Sequence, residues 1–381
     1  MRTIRYLAVA LTVVVIAAGC GSSKSSQQKS APKKSDVHRP QQGSSRTGTV
    51  WVANEDAGSL SAIDTRTNTV RTTITGIEGP HNVQADPANH LVWAVSAHDG
   101  QLIAWDSRTL ELKGVIPTGS HPAHVIVFAD GASAAVTNSE DNTVSMIDVE
   151  SMRVVKTIKV GAMPHGMRPS HDSKQLLLAH MGGTSVGLID VAKGAESATI
   201  EVGKTPVQVA LDSASKFGYV SLNAENAVAQ FDLSTRKTVR TVDVGTGPAQ
   251  IYLTADDTTL LVANQGTEEK PSDTVTVLRA PELATSATIT VGKGAHGVVA
   301  DPSSRYAYVT NMFDDTVSVI DLKTMKVMGD TIAVGDTPNG ISFTPDTIAA
   351  AQPKQVSLEN AIKKHSGAAH TESMSDHMDM G

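Results

Sequence analysis

From residue 49 to residue 344 the chain alternates apolar and polar positions in short runs separated by turn residues. Val309-Thr310-Asn311 closes one such run, the segment 315–321 forms the next, and a Val-rich run over 327–334 follows. Period-two alternation with β-branched residues, interrupted every 8–12 positions or so by Gly, Asn, Asp or Ser, predicts short antiparallel strands.

These runs repeat. An apolar residue followed by Asp ends a run at Ile63-Asp64, Trp105-Asp106, Ile147-Asp148, Ile189-Asp190, Phe231-Asp232 and Ile320-Asp321, and the first five aspartates are 42 residues apart. The 89 residues from Asp232 to Asp321 hold one further repeat with a five-residue insertion, in which Arg279 takes the place of the aspartate. Pro80, Pro122, Pro164, Pro206 and Pro248 keep the same interval, and Ala295 and Pro338 continue the series. Seven repeats with room for four strands each predict an all-β, seven-bladed propeller. The first repeat holds only three strands, and a single strand near 340–344 remains after the last connector. Pairing of that C-terminal strand with the N-terminal three closes the ring and removes the free edges that invite aggregation.

Tyr308-Val309-Thr310-Asn311 and the connector Val334-Gly335-Asp336-Thr337-Pro338-Asn339-Gly340 carry a resemblance to the YVTN-repeat β-propeller family, and the resemblance spans residues 49–344. It implies the seven-bladed fold. Its functional implication is broad, because that family includes envelope-bound proteins, nucleic-acid binders and relatives of cofactor-binding oxidoreductases, and a fold does not carry its function with it.

The ends add location. Arg2 and Arg5 precede an apolar run over 7–18, too short for the roughly 20 residues a bilayer-spanning helix needs, so the segment predicts an export signal. Its end, Ala17-Ala18-Gly19-Cys20, resembles the lipobox of bacterial lipoproteins, which implies lipidation of Cys20 after cleavage. Residues 21–48 are rich in Ser, Gln, Lys and Pro and read as a disordered basic tether beside an anionic envelope. The predicted division is therefore a signal over 1–20, a tether over 21–48, the propeller over 49–345 and a polar His/Met-rich tail over 346–381, with a short helix expected at 357–364.

One cysteine in 381 residues excludes a disulfide framework and a multi-cysteine metal site, so any metal must be held by His, Met and carboxylates. The formal charge is −7 overall and −12 on the propeller segment alone. That balance, with 3% aromatic residues, argues against nucleic acid as a partner. Gly183-Thr184-Ser185-Val186-Gly187 matches a nucleophile-elbow pattern, but in repeat register Ser185 enters a third strand with no helix after it, so the segment is read as a hairpin. The repeated aspartates read as turn caps.

Two groups of residues could bind a metal. Strand parity places His81, His124, His165, His180 and His296 toward one face of the ring, where imidazole and the nearby thioethers suit copper. The alternative is that these histidines only pack and hydrogen-bond locally. The tail offers His365, His370, Met374, His377, Met378 and Met380, a composition that reads either as a copper-binding tract or as an incidental disordered end. The expected protein is a lipid-anchored, extracytoplasmic binding or scaffold protein. Its expected partners are the membrane and an envelope protein or small ligand. The other reading is a lactonase-like enzyme or a metal- or cofactor-dependent oxidoreductase that uses the His-bearing face.

Overall fold

Each repeat folds as an antiparallel meander because its apolar positions alternate: one half of every strand's side chains faces the preceding sheet, the other half the next. In the computed structural model, which describes residues 46–365, seven such sheets surround an axis. The expected signal, Cys20 and nearly all of the tether lie outside the described residues, as do His370, Met374, His377, Met378 and Met380.

Blade 1 is built as the chain ends predicted. Its innermost strand is Pro338–Thr344, which pairs antiparallel with Thr49–Asn54 so that Trp51 faces Ser342 and Val52 faces Ile341. Ser59–Asp64 and Thr69–Thr75 complete the meander. Blades 2 to 7 begin with the inner strands Val83–Asp86, Pro122–Val127, Pro164–Pro169, Pro206–Leu211, Pro248–Leu253 and Ala295–Ala300. Seven hydrophobic clusters fill the seven blade-to-blade interfaces. The cluster that joins blade 7 to blade 1 sets Val50, Val52 and Ile341 against Tyr308, Val317 and Val319, so closure is sealed by side chains as well as by the strand ladder.

The repeated aspartates cap their turns. Asp106 Oδ1 accepts from the backbone N–H groups of Arg108 and Thr109, and Asp148, Asp232 and Asp321 do the same for their own turns. Gly183 and Ser185 lie at a hairpin whose second strand is Ser185–Asp190, with no helix after it, as the repeat register required.

The C-terminal segment departs from the expected detached tail. Gln355–Ser357 adds a parallel strand to the outer edge of blade 1, and Ile348, Leu358 and Ile362 are buried in the cluster between blades 1 and 2. The chain is helical over 359–365, two residues later than the expected helix. The physical reason is local: the outermost strand Thr69–Thr75 leaves an unpaired edge and apolar Ile74 and Ile77 below it, and the apolar residues of an otherwise polar segment cover both.

Candidate metal centre

The inner strands share a feature that the repeat spacing does not reveal. In six blades a bulge lies between the connector position and the third residue after it; in blade 4, for example, Pro164 pairs with His180 but Met167 pairs with Leu178. A bulge inserts one residue and bends the strand, so two consecutive side chains can turn toward the same side. This is why His124, second after its proline, and His165, first after its own, both reach the axis, with ring centres 4.4 Å apart.

His81 joins them from the connector into blade 2. Its Nε2 lies 3.2 Å from His165 Nε2, and one ligand atom from each of His81, His124 and His165 falls within 4.8 Å of the others. His296 is one step further out, its ring centre 6.4 Å from that of His81 and its Nδ1 without a partner.

The outer nitrogens of the pair are committed. His165 Nδ1 lies 3.1 Å from the carbonyl of Val207, which can only accept, so this nitrogen carries the proton. His81 Nδ1 lies 3.2 Å from Glu55 Oε2, and Asn339 Nδ2 donates to the same oxygen at 2.6 Å. A carboxylate in this position orients the ring and raises the basicity of its other nitrogen. His165 therefore presents a lone pair at Nε2 to the Nε2 of His81, an arrangement that accommodates a proton or a cation between the two rings. His124 Nε2, buried, has no partner either.

The electrostatics favour neutral imidazole. Burial, with the neighbouring His81 adding repulsion, lowers His165 to about 3 and His296 to about 4, and burial beside His165 and His81 takes His124 well below its ordinary value. Burial alone would raise the Glu55 carboxyl, but the hydrogen bond and charge of His81, with Asn339, outweigh it and hold Glu55 at about 2. Neutral imidazoles at His124, His165 and His296 are in the protonation state that metal ligation needs.

Other expected site residues are placed elsewhere. His180 is not at the axis: its Nδ1 bonds Ser185 Oγ at 3.0 Å and its Nε2 lies 2.8 Å from Glu196. In repeat register it stands where Asn54, Asn138, Asn264 and Asn311 donate to Ser or Thr of the next strand, so it is blade 4's version of an internal polar ladder. His365 is exposed at the end of the described chain, its Nδ1 bonding the carbonyl of Ala361. Glu55 and Asn339 were not singled out by sequence. The signal was present for Glu55, since its counterparts one repeat apart are Ala97, Ser139, Met181 and Asn223, and an acid among them breaks the pattern.

Comparison with known proteins agrees on the fold. The chain resembles a hydrazine synthase chain from Kuenenia stuttgartiensis at 19% identity over 71% of this chain and 91% of that one, with a TM-score of 0.65. It resembles a putative 6-phosphogluconolactonase from Bacteroides uniformis at 18% identity over 78% and 99%, TM-score 0.68. The periplasmic gluconolactonase of Pseudomonas aeruginosa is similar at 16% identity over 78% and 98%, TM-score 0.67. No protein of curated function matches the sequence. The profile of the YNCE-like beta-propellers matches residues 31–202 and 195–351, and the chain, with its seven closed blades, belongs to that family.

Proposed function

We propose that this propeller is a lipid-anchored, extracytoplasmic binding protein that holds a transition-metal ion at the mouth of its channel through His81, His124 and His165, with Glu55 orienting His81. The observation that carries the reading is the 3.2 Å approach of two Nε2 atoms whose Nδ1 partners are already fixed. Two nitrogens bound about 2.0–2.1 Å from a tetrahedral ion stand roughly 3.3 Å apart, close to that separation. An all-imidazole set suits copper(II) or zinc, and the thioethers of the 366–381 segment, added to His365 and its neighbours, make a softer second set that favours copper(I). The other reading, a lactonase-like enzyme or a cofactor-dependent oxidoreductase, has its support in distant structural neighbours that include gluconolactonases and a hydrazine synthase, and among the described residues no acid, base and nucleophile are assembled in the channel.

Titration of copper(II) and zinc into a form lacking 366–381 tests the centre. One equivalent is expected to bind. His81→Ala and His165→Ala are expected to abolish that binding, and Glu55→Gln to weaken it by about 10- to 100-fold, the usual effect of removing a carboxylate behind a ligating His. Stoichiometric binding that survives both alanine substitutions removes the metal from the channel. The anchor is tested separately: Cys20→Ala is expected to move the protein from the membrane to the soluble fraction, and unchanged membrane association of that variant overturns the lipoprotein assignment.

A further inference from the structure

Beyond the imidazoles lies a cavity of about 250 Å³ whose lining runs from His124 to Pro302 and Phe343. Its lining holds one cation, Arg168, and no carboxylate. Among the described residues the guanidinium makes a single hydrogen bond, Nη1 to the carbonyl of its own neighbour Met167 at 3.0 Å, and no acidic side chain lies within ion-pair distance of it. A recessed, unpaired guanidinium is costly to a fold, and it presents most of a planar five-donor fork to the cavity.

The architecture does not require it. Four residues after each connector position, where blade 4 carries Arg168, the other blades carry Gln84, Ile126, Ala210, Tyr252, Val299 and Ser342, none of them charged. Uncharged residues therefore satisfy the propeller at this place, and the charge in blade 4 answers to something else. On the neighbouring inner strands Gln208 and Gln250, 2% and 5% exposed, line the same cavity with Oε1 and Nε2 respectively lacking any partner. Tyr252 adds a hydroxyl close enough to feel the charge of Arg168. Buried amides without partners are rare in folded proteins and mark places where a partner arrives from outside.

We infer that this cavity is a binding site for a small oxyanion, a carboxylate or phosphate group carried by a compact polar molecule, with Arg168 pairing the anion, Gln250 and Tyr252 donating to it, and Gln208 Oε1 accepting from a hydroxyl of the same molecule. An anion is selected because the lining offers a guanidinium, an amide N–H and a phenol as donors with no competing carboxylate. The cavity admits a molecule of only a few carbon atoms beside the anionic group. His124 lines its inner end, so an anion held by Arg168 lies on the same axis as the imidazole centre, yet the site does not depend on a metal being bound.

Calorimetric titration of the full chain with malonate and with inorganic phosphate, in the presence of a chelator, tests the inference. Saturable binding of at least one probe is expected, with Arg168→Lys weakening it by about tenfold or more, since the ammonium loses the bidentate fork. Arg168→Met is expected to abolish it while melting at a higher temperature than the parent, because the unpaired cation is gone. Preference for malonate or for phosphate identifies the kind of anion. Binding of neither probe by the parent, or equal binding by Arg168→Met, overturns the inference. The higher melting temperature of Arg168→Met keeps that result readable, since a merely structural arginine would lower it.

Discussion

A form ending at Val334 is expected to lose its cooperative thermal transition. The truncation removes Pro338–Thr344, the inner strand of blade 1, and everything that follows it. Thr49–Asn54 then becomes an edge, and Val50, Trp51 and Val52, fully buried in the intact ring, lose their cover. Four buried apolar side chains leave with the segment: Ile341, Ile348, Leu358 and Ile362. At about 1.5–3 kcal/mol each, their loss amounts to about 6–12 kcal/mol, comparable with the whole stability of an ordinary domain. A form ending at Pro345 separates the two contributions. It keeps ring closure but loses the parallel strand and three of the four side chains, and it is expected to melt cooperatively at a clearly lower temperature. Removal of 366–381 alone is expected to leave the melting temperature unchanged. Circular dichroism melts of the three forms decide the matter, and equal melting by the Val334 form and the full chain would mean that the ring does not depend on its C-terminal strand.

Acid is expected to weaken the metal-free protein steeply between about pH 6.5 and 3. In the unfolded chain a histidine takes up its proton near 6.5, whereas folded His165 and His296 resist until about 3 and about 4. Across that window the unfolded state binds more protons, so folding stability falls as pH falls. At about 1.4 kcal/mol per unit, the effect is on the order of 3–5 kcal/mol for each of these two rings, and less than additive because each also repels His81. Glu55 acts in the same direction from its ordinary value of 4.5 down to about 2, where the carboxylate that holds His81 and Asn339 is lost. Urea midpoints measured with a chelator present should drop across the window, and His165→Gln, which keeps a donor for Val207 but does not titrate, should flatten the curve. A His165→Gln profile parallel to that of the parent would show that the buried imidazole is not the cause.

The architecture of this protein was legible before any coordinates. Aspartates and prolines at a 42-residue interval, three strands at one end and one at the other, fixed the number of blades and the way the ring closes, because a propeller repeats one local unit and repetition is a property of sequence. The turn caps followed for the same reason, since Asx turns are made by residues two and three apart. The axis was only half legible. Histidines near the connectors pointed to the channel, but neither their spacing nor strand parity could say that bulges bring His124 and His165 to 4.4 Å, or that His180, at the end of a second strand, turns into its own blade. Residues 84 apart, as His81 and His165 are, meet only when the ring closes at its full circumference. The charge on Arg168 and the acid at Glu55 were visible as departures from the repeat, yet what surrounds them is set by strands from other blades, and so their partners, and the absence of a carboxylate beside Arg168 among the described residues, were decided by the tertiary structure alone.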